Sequence, residues 1–104
     1  MVDDRGRGVV IEVETIGEGE PMRFNVTVRE GDGATRHQVT LSRNMRDRLS
    51  RDGRDAPEII GAAFRFLLAR EPKESILANF DVSVISRYFP QFENELSDYF
   101  APRR

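Results

Sequence analysis

The sequence predicts an α+β domain: a three-stranded antiparallel meander over residues 8–42, packed against a central helix at 57–71, with two or three shorter helices in the C-terminal part. Three observations carry that expectation. Apolar residues alternate with period two in three successive segments before residue 42, and they change to helical spacing after residue 57. Strands come first and helices after, which is the element order of an α+β chain rather than of repeated βαβ units.

The first strand sets Val9, Ile11 and Val13 on one face against Val10, Glu12 and Glu14 on the other. In the second, Met22, Phe24, Val26 and Val28 alternate with Arg23, Asn25, Thr27 and Arg29, and in the third His37, Val39 and Leu41 oppose Arg36, Gln38 and Thr40. Such alternation marks strands with one buried and one wet face. The connections Gly17-Glu18-Gly19-Glu20-Pro21 and Glu30-Gly31-Asp32-Gly33-Ala34 are short and glycine-rich, as antiparallel hairpins require.

The apolar face of a meander needs a cover. Met45 and Leu49 predict a short first helix ending near Gly53. Asp55-Ala56-Pro57-Glu58 has the form of a capping box with proline in the first turn, and Ile59, Ile60, Ala63, Phe64, Leu67 and Leu68 follow at helical spacing. Pro72 ends this central helix and opens a short one through Ser75, Ile76 and Leu77. Asp81 is placed to cap the segment Val82–Tyr88, and Phe92, Leu96 and Phe100 mark a last amphipathic helix after Pro90. In the corner Glu71-Pro72-Lys73-Glu74, charges are expected to pair with Arg70 and to cap the next helix.

At 104 residues the chain corresponds to one domain, 1–104, with residues 1–7 and 101–104 expected to be disordered. It has no cysteine, no long apolar run and an acidic start, MVDDRGRG, so the expectation is a cytoplasmic protein without disulfides, membrane span or cysteine zinc site. Charge is even: nine basic and ten acidic side chains in residues 1–52, seven and eight in 53–104. A nucleic-acid binder shows a basic stripe or balance, and neither is present.

Chemistry is sparse. The lone imidazole, His37, lies in phase with Val39 and Leu41 and reads as a strand residue with a satisfied ring. One histidine and no cysteine leave no histidine pair for a metal, and no acidic run matches a calcium loop. The expectation is therefore a non-enzymatic protein with no cofactor and no metal. Nucleic acid enters as the alternative, through a ribbon-helix-helix-like segment at 36–71 in which Arg36, Gln38, Thr40, Arg43 and Arg46 make the contacts. A helix-turn-helix over Pro72–Tyr88, turning at Asn79-Phe80-Asp81, offers one arginine for base reading and is weaker still.

Protein recognition has better support. Six of the nine aromatic residues fall in positions 80–100, on segments too short to aim them all at one core. Phe80, Phe92 and Phe100 are assigned to the core, and Tyr88, Phe89 and Tyr99, with Arg87 and Arg65, to an exposed or half-buried surface that binds a protein partner or a second copy. The competing expectation places all the rings inside.

The runs Phe64-Arg65-Phe66-Leu67-Leu68-Ala69-Arg70-Glu71-Pro72-Lys73-Glu74-Ser75-Ile76-Leu77, Phe80-Asp81 and Val84-Ile85-Ser86-Arg87-Tyr88-Phe89-Pro90 resemble a group of small uncharacterised bacterial proteins, over residues 57–96. The resemblance implies a bacterial cytosolic protein and brings no activity, cofactor or partner with it.

Overall fold

The computed structural model describes residues 8–50 and 53–100, so the two termini expected to be disordered lie outside the described residues. Strands β1 (Val9–Gly17), β2 (Met22–Glu30) and β3 (Gly33–Leu41) form the expected antiparallel meander. β2 and β3 stay in unbroken register from Met22↔Leu41 to Glu30↔Gly33, across a two-residue turn in which Gly31 takes φ +60°. The alternation resolves as read: Phe24, Val26, Val28, His37, Val39 and Leu41 are buried on one face, and Arg23, Arg29, Arg36 and Gln38 are exposed on the other.

The sheet has a fourth strand. β4 (Asn79–Asp81) runs parallel to β3 with Gln38↔Asn79, Val39↔Phe80 and Thr40↔Asp81 in register, giving a mixed sheet in the order β1-β2-β3-β4. Three residues are too few to show a period of two, so hydropathy carried no sign of this strand. It replaces the turn that a helix-turn-helix over Pro72–Tyr88 would need. It also places β3 between two neighbours, closing at Gln38–Thr40 the edge that a two-chain ribbon would use.

Helix α1 (Arg43–Leu49) starts on Ser42, whose hydroxyl accepts from the Met45 backbone N–H at 3.1 Å. Helix α2 (Ala56–Leu68) carries the capping box the sequence specified: Glu58 N–H donates to Asp55 Oδ1 and Asp55 N–H to Glu58 Oε1, both at 3.0 Å. It stops at Leu68, short of the expected 71, where the Arg70 N–H turns to the Leu67 carbonyl three residues back, at 2.9 Å, in place of the α-helical bond to Phe66.

Helix α2 is the middle of three layers. Phe64 and Phe66, both fully buried, point to opposite sides of it. The Phe64 ring meets His37 and Phe80 of the sheet at centroid distances of 5.3 and 5.9 Å. The Phe66 ring takes Phe89, Phe92 and Tyr99 edge-on at 5.7, 5.0 and 5.6 Å. After α2 the chain makes a 3₁₀ turn at Lys73–Ser75, in place of the expected helix through Leu77, against the β2–β3 hairpin. Beyond β4, α3 (Ser83–Tyr88), α4 (Phe92–Glu95) and a 3₁₀ turn at Leu96–Tyr99 follow, and Phe89, Phe92 and Tyr99 of this last stretch form the third layer on Phe66. No described helix is long and apolar enough to cross a membrane.

Candidate docking groove

The end of α2, the 3₁₀ turn, β4 and α3 do not close on one another completely. Between them lies a groove of about 270 Å³, lined by Leu67, Glu71, Ile76, Leu77, Phe80, Val84, Ile85, Tyr88 and Phe89 among others. Its walls are mostly aliphatic and aromatic, and two of its residues project into solvent, Tyr88 at 70% exposure and Leu77 at 50%. The local sequence explains the shape. Pro72 turns the chain away from α2, Ile76 drops into the core, and the next side chain, Leu77, is left outside as the chain straightens into β4. Glu71 is half-buried and contributes the one ionisable carboxylate of the lining, and that side chain has no hydrogen bond or ion pair among the described residues.

The five residues assigned to an interaction surface separate into two sets. Tyr88 and Phe89 line the groove, and Arg87 is exposed on the same helix α3. Tyr99 and Arg65 do not line it: they belong to the packing of the third layer on α2. Arg65 Nε donates to the Tyr99 carbonyl at 2.6 Å, and burial, followed by the nearby Arg54 charge, lowers its pKa from the usual arginine value. The hub of this packing is Arg70, whose guanidinium lies 3.7 Å from the Phe66 ring centroid. It also donates to the Phe66 carbonyl at 3.0 Å, to the Tyr99 hydroxyl at 3.2 Å and to Glu95 at 2.6 Å. Its carboxylate is thus Glu95, not a residue of the Glu71–Glu74 corner. Phe92 is fully buried, while Phe80 and Phe100 are half-buried against the core.

The residues of the nucleic-acid alternative fall in two separate places. Arg36, Gln38 and Thr40 project from the open face of the sheet, where Thr40 Oγ1 is committed to Asp81 Oδ2 at 2.6 Å. Arg43 and Arg46 sit beyond the end of the sheet in a hollow shared with Glu18 and Glu20. The Arg43 backbone N–H donates to Glu20 at 2.9 Å, and Arg46 reaches the Met22 sulfur at 3.6 Å.

Three polar groups that could suggest catalysis have structural partners. His37 is 4% exposed, with Nδ1 2.7 Å from the Leu77 carbonyl oxygen and Nε2 2.9 Å from Thr35 Oγ1, the satisfied ring the sequence suggested. Burial disfavours the Asp81 carboxylate, but hydrogen bonds from Thr40 and from the Ser83 backbone N–H outweigh it and hold its pKa below the usual value. Lys73, which the sequence marks only as part of the charged corner 71–74, has a side chain just 9% exposed: Nζ lies 2.6 Å from Glu74 and 3.7 Å from Glu30, joining the corner after α2 to the β2–β3 hairpin. The hydrogen bond to Glu74, working against burial and helped by Glu30, raises its pKa. Among the described residues, no three His, Cys, Asp or Glu side chains are grouped so as to hold a metal ion.

Comparison with protein-family models, with curated protein sequences and with solved structures finds no match.

Proposed function

We propose that this chain is a small cytoplasmic, non-enzymatic interaction module that binds a protein segment in the groove beside β4. The observation that carries the reading is Tyr88, which is 70% exposed at the mouth of an apolar groove with Leu77 exposed across the same lining. A large ring held in solvent next to apolar walls has surface to bury on association, and aromatic anchors of this kind dominate binding energy. Glu71 adds selectivity. A partner that sets a lysine or arginine opposite this unpaired carboxylate, with apolar side chains on either side, satisfies both features of the lining. The nucleic-acid alternative has less support, since Arg43 and Arg46 lie beside Glu18 and Glu20, Thr40 hydrogen-bonds to Asp81, and Arg36 and Gln38 share their face with Glu12 and Glu14.

Peptide selection on the immobilised protein tests this reading. Selected sequences are expected to combine apolar residues with one basic residue. Their affinity is expected to fall about 30-fold or more on Tyr88→Ala, the consequence of losing an anchor worth roughly 2 kcal/mol. Peptides that bind Tyr88→Ala and Glu71→Gln as tightly as the unaltered chain would refute the groove as the binding site.

A further inference from the structure

Strand β1 ends the sheet, and among the described residues nothing pairs with its outer edge. It is also the least covered of the three long strands. Ile11 and Val13 are only half-buried, whereas their cross-strand partners Val28 and Val26 are fully buried. On its other face Val10 and Ile16 are 51% and 44% exposed. Edge strands are normally protected by proline, lysine, an inward charge or a bulge. β1 has no proline, no lysine and no inward charge, and its one irregularity falls between Thr15 and Gly17, beyond the regular run from Val9 to Thr15. Its only guards are Glu12 and Glu14 on the open face, and Glu12 is already offset by Arg29 Nε at 3.2 Å.

We infer that β1 pairs antiparallel with β1 of a second copy, about a two-fold axis at Ile11, joining two four-stranded sheets into one. The register supplies the argument for a second copy. Side-chain alternation requires inward residues to face inward residues, so a two-fold axis must fall on a residue of the strand. An axis on Glu12 or Glu14 sets that carboxylate directly against its own counterpart, and an axis on Val13 sets Glu12 against Glu14; like charges so opposed destabilise a sheet. An axis on Val10 leaves only residues 9–11 of the strand overlapped, and one on Thr15 puts the irregularity between Thr15 and Gly17 into the new pairing. At Ile11 these conflicts vanish. Ile11 faces Ile11, Val9 faces Val13 and Glu12 faces Val10, while Glu14 lies beyond the overlap of the two strands, so the under-covered inward residues meet their own kind. The groove borders β4 at the other end of the sheet, so this pairing leaves it open in both copies.

The exposed residue Val10 makes the register testable without disturbing the core. Sedimentation of the full chain is expected to show a monomer–dimer equilibrium. Val10→Lys, which sets a cation opposite Glu12 twice in the dimer, is expected to tighten it, and Val10→Glu to weaken it, each by roughly tenfold. The chain has no cysteine, so thiols can be introduced singly. A mixture of Val10→Cys and Glu12→Cys is expected to cross-link on oxidation, while Glu12→Cys alone is not. A chain that sediments as a monomer at its highest soluble concentration overturns the inference. Cross-linking of Glu12→Cys alone, or identical dissociation constants for Val10→Lys and Val10→Glu, does the same.

Discussion

The His37 Nδ1 lies 2.7 Å from the Leu77 carbonyl oxygen, so the only imidazole of the chain ties β3 to the segment that forms the groove rim. A carbonyl only accepts, so Nδ1 carries the proton, and in the neutral ring Nε2 accepts from the Thr35 hydroxyl at 2.9 Å. The ring also tilts against Phe64 at 5.3 Å. His37→Phe keeps an aromatic ring at this place but leaves the Leu77 carbonyl without its partner. A cost of about 1–3 kcal/mol is expected, read from the urea midpoint. Amide exchange of Gln38, whose N–H donates to the Ala78 carbonyl next along, is expected to quicken with it.

Phe64 and Phe66 hold the two interfaces of α2, one with the sheet and one with the C-terminal layer. Removing either large, fully buried ring is expected to cost about 3–5 kcal/mol, enough to unfold a marginal domain. The two losses differ in kind. Because Arg70 stacks on Phe66 and not on Phe64, Arg70→Ala and Phe66→Leu are expected to be non-additive in a double-mutant cycle. Arg70→Ala and Phe64→Leu are expected to add. Urea unfolding of the six proteins separates the two cases.

Period and capping made most of this fold legible. The meander, the burial of His37 and the start of α2 follow from local rules: alternation, and a box of Asp55 and Glu58 that satisfies itself within four residues. What escaped depends on contacts distant in sequence. β4 is a strand because Gln38–Thr40 offer it an edge, and nothing within Asn79–Asp81 announces that. Lys73 is buried because the β2–β3 hairpin, with Glu30 and Gly33, lies over it. The placement of the six C-terminal rings depends on such contacts too: their spacing on short segments leaves open which of them turn inward, and the packing of Phe80 on Phe64 and of Phe89, Phe92 and Tyr99 on Phe66 decides it.

Asp81 links β4 to β3 and to α3, accepting from the Thr40 hydroxyl at 2.6 Å and from the Ser83 N–H at 2.9 Å. Its pKa is depressed in the folded chain, so the unfolded chain binds the proton more readily. The stabilisation from this group is therefore complete above the ordinary aspartate value of about 3.9 and is lost as pH falls through the lower folded value. Thr40→Val removes the hydroxyl that lowers the pKa. The variant is expected to lose stability at neutral pH and to show a shallower further decline on acidification than the unaltered chain. Urea midpoints measured across the acid range test both.

Tyr88 and Tyr99, grouped together from the sequence, occupy opposite situations. Tyr88 is 70% exposed, whereas Tyr99 lies edge-on to Phe66 at 5.6 Å, with its hydroxyl 3.2 Å from Arg70 and its carbonyl accepting from Arg65. Tyr88→Ala is expected to change stability by less than about 0.5 kcal/mol, the range of ordinary surface substitutions. Tyr99→Ala removes a packed ring and is expected to cost roughly 2 kcal/mol or more. Tyr99→Phe keeps that ring and gives up only the Arg70 contact, so its cost is expected to stay near 1 kcal/mol. Thermal unfolding of the three variants measures the order directly. Equal melting temperatures for Tyr88→Ala and Tyr99→Ala would mean that the C-terminal turn does not rest on Phe66, and a stability loss at Tyr88 would take away the exposed anchor on which the groove depends.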